Sequence, residues 1–137
     1  GYFCKIIQHI MAEHNDFGKW GEDYAAEYLR KKGYIIMERD WTFGRSKRDI
    51  DIICKTSDMT TVVFVEVKAR ANDDVTSPED AVDIRKMRHL MVAADEYVKS
   101  HDISEELRFD IVTIVGKRNS KQIKVNHIED AFNPLLI

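Results

Sequence analysis

The chain has 137 residues, 44% of them hydrophobic and 33% charged, with a formal net charge of -3; that is room for one domain with a real core and too little for two comfortable ones. No apolar run approaches the roughly eighteen residues that a membrane-spanning helix needs, so no membrane partner is expected. Bulk positive charge is absent, so a polyanion would have to be met by local patches.

The opening segment GYFCKIIQHI lacks the long apolar region and small-residue cleavage site of a signal peptide. Met11 stands ahead of a polar stretch, and residues 1–15 are expected to be an N-terminal extension, either added upstream or disordered, before a domain over 16–137. The two cysteines, Cys4 and Cys54, have no zinc-type spacing; reduced thiols and a cytoplasmic location are the expectation.

From Asp16 to Lys32, Trp20, Tyr24, Ala25, Tyr28 and Leu29 recur near helical spacing, with Asp16 as N-cap and Gly33 as the C-terminal stop. Tyr34–Trp41 reads as a first strand and Asp49–Lys55 as a second, joined by the basic turn TFGRSK. The third strand, Thr61–Arg70, follows a short turn. A polar loop ends at Ser77-Pro78-Glu79, where a helix begins and carries Val82, Met87, Leu90, Met91, Ala94 and Val98 as one stripe to about Ser100. Arg108–Val115 is a fourth strand, and a shorter fifth lies near Gln122–His127 after the turn GKRNSK. The tail is expected to form a helical turn packed by Phe132 and Leu135. Two helices covering the faces of a mixed sheet of four to five strands give an α/β sandwich.

The third strand carries the chemistry. Glu66, Lys68 and Arg70 share one face with Val62 and Phe64 because side chains alternate along a strand. In the second strand Asp51 sits between Ile50 and Ile52, where a carboxylate costs stability unless compensated. If the two strands pair as neighbours, Asp51 and Glu66 come together, and two close carboxylates repel unless a cation lies between them. Oxygen ligands favour Mg²⁺ or Mn²⁺. Lys68 would point into the same site, placed to hold water or to stabilise charge on a phosphate. Taken alone, Glu-x-Lys at a strand end is more often a solvated surface pair; its apolar flank and the companion Asp51 argue against that.

Asp51 followed by Glu66-Val67-Lys68, in a helix-strand-strand-strand-helix-strand order, resembles the PD-(D/E)XK nuclease superfamily. More closely, the chain is similar to the YraN family of small bacterial proteins, predicted endonucleases. The matching pieces are Gly21-Glu22 with Ala25 and Tyr28-Leu29, Gly33-Tyr34, Asp49-Ile50-Asp51, Phe64 to Lys68 with Arg70, Lys86, and Arg108-Phe109-Asp110. The resemblance implies a restriction-endonuclease-like three-layer sandwich and Mg²⁺- or Mn²⁺-dependent hydrolysis of a nucleic-acid phosphodiester, DNA above all, with branched or repair intermediates among the substrates. It makes Asp51 and Glu66 metal ligands with the Val67 carbonyl, Lys68 the group that positions or activates water, and Glu22 an additional acid. Related resolvases act as dimers, so a homodimer is one expected assembly. One departure stands out: the family commonly reads Gly-Glu-Ile-Asp where this chain has Arg48-Asp49-Ile50-Asp51.

Arg70 and Lys86 are candidate phosphate contacts, although a solvated helix face, with Arg85, Arg88 and His89 beside Lys86, accounts for Lys86 equally well. Arg45, Lys47 and Arg48 form a basic turn beside Trp41 and Phe43, a pairing that suits nucleic acid. Lys117, Arg118, Lys121 and Lys124 read as a soluble hairpin tip. Asp110 is expected to pair with a strand neighbour or an arginine. The five histidines lack ligand spacing and are assigned to structure or surface. The alternative to an enzyme is a non-catalytic nucleic-acid-binding module that keeps the fold.

Overall fold

The computed structural model describes residues 2–45, 50–72 and 84–132. Among these residues seven elements run in the order α1 (Tyr2–Lys31), β1 (Ile35–Trp41), β2 (Ile50–Lys55), β3 (Thr61–Arg70), α2 (Ile84–Ser100), β4 (Glu106–Val115) and β5 (Lys124–Ile128). The strands form one sheet in sequential order, β1-β2-β3-β4-β5. Among the described residues only β3 and β4 pair in parallel; the other neighbours are antiparallel. A parallel neighbour requires a crossover, and α2 lies within it.

Alternation along β3 divides the core. Val63 and Val65 join Ile52, Cys54, Val112 and Ile114 under Ala25, Ala26 and Leu29 of α1. Val62 and Phe64 join Ile50, Ile53 and Phe109 under Leu90, Ala93, Ala94 and Tyr97 of α2. Helix, sheet and helix are therefore the three layers of an α/β sandwich, as expected from the strand patterns.

The boundaries of β3 are those expected. At the end of α1, Gly33 adopts φ 96° and the Tyr34 amide donates to the Leu29 carbonyl at 3.0 Å, closing the helix where the glycine predicted it. Its start differs. Asp16 does not cap the helix, which already runs from Tyr2. Nothing between Tyr2 and Asp16 breaks a helix: there is no proline, and the first glycine after Gly1 is Gly18. β4 begins two residues earlier than expected, and the Glu106 amide donates to the Thr60 carbonyl at 3.1 Å. β5 lies slightly later than expected, at Lys124–Ile128. Phe132 packs into the α2-side core as anticipated, after a turn at Glu129–Asp130. The expected helix start at Ser77–Pro78 and the contribution of Leu135 lie outside the described residues.

No helix among the described residues is long and apolar enough to cross a membrane.

Candidate functional site

The site forms where β2 and β3 leave the core and both helical layers reach the sheet. Residues Ile52–Lys55 pair with Val65–Val62, and continuing that antiparallel register by one residue sets Asp51 opposite Glu66. The Asp51 carboxylate does more than face its neighbour: Oδ2 accepts the Val67 amide proton at 2.8 Å. That bond fixes the carboxylate against β3.

Glu22 reaches the same end from α1. It does so because α1 lies very close to β3 at the preceding residue, where a Cβ on Gly21 would come within 2.6 Å of the Ala69 Cβ. Only glycine permits that approach. Glu22 and Asp51 are 5% and 6% exposed, and a third carboxylate, Asp40 at the end of β1, joins them. One oxygen from each of Glu22, Asp40 and Asp51 lies within 4.8 Å of the others. Asp40 has φ 50°, in the left-handed region that aspartate tolerates better than most side chains. The spacing and donor type suit a hard divalent cation, which takes oxygen ligands at about 2.0–2.6 Å.

Glu66 is held from the other layer. Its Oε1 accepts from Lys86 Nζ of α2 at 2.9 Å, and Lys68 Nζ lies 3.8 Å away. The two lysines differ. Burial pushes the Lys68 pKa below its ordinary value, the adjacent Lys86 pushes it further, and the charges of Glu66 and Asp51 offset this only in part. Burial also opposes the charge on Lys86, but the bonds with Lys68 and Glu66 and the charges of Glu66 and Asp51 outweigh it and hold that ammonium above its ordinary value. Lys86 thus keeps the proton more firmly than Lys68.

The candidate residues therefore fall into two adjoining groups: Asp51 with Glu22 and Asp40, and Glu66 with Lys68 and Lys86. Asp51 is the link, bonded to the amide that follows Glu66. Arg70 lies on the same strand, at its end. Arg45 is exposed, while Lys47, Arg48 and Asp49 lie outside the described residues. Trp41, the last residue of β1, is partly buried. It packs edge-on to Tyr97 at 5.3 Å, against the α2-side core, while Phe43 remains 44% exposed.

Asp40 escaped sequence reasoning. It sits in an ordinary strand-end tripeptide, Arg39-Asp40-Trp41, and its one local signal is that aspartate often takes positive φ where a strand turns away. Also unforeseen was a buried network on the α1 side. Asp110, fully buried, accepts from Arg108 Nε and Nη2 at 2.9 Å each, from His127 Nε2 at 2.7 Å and from the Asp130 amide at 3.0 Å. The arginine partner was expected; the histidine was not. Lys32 Nζ stands 3.1 Å from the other ring nitrogen, Nδ1. An ammonium only donates, so Nδ1 accepts and Nε2 donates to Asp110.

A family profile described as "Uncharacterised protein family UPF0102" matches residues 21–114. The chain belongs to that family. The matched span takes in Glu22, Asp40, Asp51, Glu66, Lys68 and Lys86. A UPF0102 protein of Flavobacterium psychrophilum is 48% identical over 122 residues, covering 89% of this chain and 98% of the relative. Another, of Bacteroides fragilis, is 42% identical over 126 residues, covering 92% and 99%. A third, of Parabacteroides distasonis, is 43% identical over 122 residues, covering 89% and 96%. These UPF0102 relatives match along almost their whole lengths.

Proposed function

We propose that the chain is a metal-dependent endonuclease of the PD-(D/E)XK type, related to the YraN family, hydrolysing phosphodiester bonds of nucleic acid, with DNA as the leading substrate. The observation that carries this reading is the Asp51 carboxylate. It is bonded to the Val67 amide, gathered with two further carboxylates, and adjoins Glu66 and a lysine whose pKa is depressed. The αβββαβ element order supports it as well.

Asp51, Glu22 and Asp40 would hold Mg²⁺ or Mn²⁺, with Glu66 and the Val67 carbonyl as further ligands once Glu66 exchanges Lys86 for the ion. A bound divalent ion would supply Lewis-acid stabilisation of a phosphate oxygen and a more acidic water. Lys68 Nζ, within 3.8 Å of Glu66 and with its pKa lowered by burial and by Lys86, would position the attacking water or stabilise charge on the phosphate. Lys86 and Arg70 are cations for the scissile region's phosphates. The basic turn of Arg45, Lys47 and Arg48 would extend the contact along the strand.

Cleavage of branched, duplex and single-stranded DNA with Mg²⁺ or Mn²⁺ should be abolished in Glu66→Ala and Asp51→Asn. Equal cleavage by wild type and both variants would refute the assignment. The Lys86–Glu66 ion pair favours a second reading, a non-catalytic nucleic-acid-binding module, because it neutralises Glu66 without a metal. Calorimetry separates the two: the enzyme reading requires Mn²⁺ binding that Asp51→Asn removes, and the binding module requires none.

A further inference from the structure

Resting on the nucleic-acid reading above, we propose that the flank of α1 is a stacking platform for the unpaired bases of a single strand. Phe17, Trp20, Tyr24 and Tyr28 recur at steps of three and four residues, which lines them along one helix face over about 16 Å. Phe17 and Trp20 have ring centroids 5.3 Å apart, and Trp20 and Tyr24 5.7 Å. All four residues are half-buried. Trp20, Tyr24 and Tyr28 pack against the α1-side core, so these rings are braced from behind.

A helical aromatic stripe ordinarily just completes a core. Here it borders an open slot. Tyr24, Glu27 and Tyr28 line a cavity of about 190 Å³ together with Lys31 and with Val125 of β5. The slot is below the ordinary range of about 300–1,000 Å³ for a drug-sized ligand and suits one planar ring. Its surroundings are cationic. Lys31 is on the rim, and Lys32 Nζ lies 5.3 Å from the centre of the Tyr28 ring. Further along the hairpin that carries Val125, Lys117 and Arg118 line a wide recess of about 420 Å³. The rim's carboxylate, Glu27, is paired with Arg30 at 3.5 Å. Aromatic faces with cations gathered at one end are the combination that sequence-tolerant single-strand binding uses, and on a chain of net charge -3 it has to be supplied locally. The bases would stack on the rings and the phosphates would meet the lysines.

The test uses the full chain in EDTA, so that no cleavage intervenes, with three fluorescent probes: a ten-nucleotide thymidine strand, an abasic strand of equal length, and a four-way DNA junction. Wild type should prefer the thymidine strand over the abasic one by at least about 5-fold, and Tyr24→Ala with Tyr28→Ala should abolish that preference. Tyr24→Phe and Tyr28→Phe keep the rings and should keep the preference. Lys31→Glu, an exposed substitution that leaves the core intact, should weaken both single strands. Equal wild-type affinity for thymidine and abasic strands, or a preference that survives loss of both tyrosine rings, overturns the platform. If the junction still binds, the nuclease reading stands without it. If no probe binds, both fall.

Discussion

At Asp110, the four donors from Arg108, His127 and Asp130 occupy the acceptor positions that a carboxylate offers. Burial by itself would raise this pKa, but the bonds from His127, Arg108 and the Asp130 amide overcome it and leave the carboxyl below its ordinary value. A depressed folded-state value stabilises the protein above the unfolded pKa, about 3.9, and that contribution is lost as pH falls through the folded value. Asp110→Asn, which leaves the Arg108 charge without its carboxylate, should cost about 3–5 kcal/mol at pH 7. The gap to wild type should narrow in urea titrations run below pH 4. Cys54 makes a complementary case. Burial pushes its thiol up to about 12, with the Asp110 charge adding to the effect. Reaction depends on the thiolate, so iodoacetamide should label Cys54 at neutral pH only at the rate at which the protein opens. Labelling in native buffer as fast as in denaturant would contradict its burial.

Two glycines of α1 make opposite demands on the same helix. A Cβ at Gly21 would collide with Ala69, whereas at Gly18 no atom lies within 4 Å. Gly18→Ala should stabilise by about 0.4–1 kcal/mol, because the helix is kept and the unfolded chain loses freedom. Gly21→Ala should destabilise by about 1–3 kcal/mol, since α1 has to lift from β3. It should also draw Glu22 away from Asp51. Mn²⁺ titration by calorimetry is the discriminating measurement. Weaker binding in Gly21→Ala but not in Gly18→Ala ties the carboxylate cluster to the closeness of helix and strand. Unchanged binding in both would detach Glu22 from the site.

Across the whole molecule, what the sequence made legible followed from periodicity. The alternation in VVFVEVKAR defined β3 and its two faces, and the short turn before it made β2 an antiparallel neighbour. From those two facts came the approach of Asp51, Glu66 and Lys68. Relations that periodicity does not encode stayed hidden. Lys86 meets Glu66 across a crossover, twenty residues away, where no local spacing reports the contact. Asp40 enters the carboxylate group through a positive φ and the advance of α1, both products of tertiary packing. Asp16 looked like a cap because aspartate caps helices, yet a residue that starts helices well does not stop one already under way.

The sequential strand order also governs how the chain assembles itself. β1, β2 and β3 are joined by short connections and pair with what immediately precedes them, so they can zip early and cheaply. The parallel seam between β3 and β4 is different: everything from Ala71 to Glu105 must be gathered before Thr61 meets Glu106. That closure carries the largest loop-entropy cost in the sheet, and docking of α2 on the half-made sheet is expected to lower it. Leu90→Ala, which trims the α2 side of that dock, should cost about 2–5 kcal/mol. In stopped-flow chevrons the loss should fall mainly on the refolding arm. A loss confined to the unfolding arm would mean that the seam closes before α2 arrives.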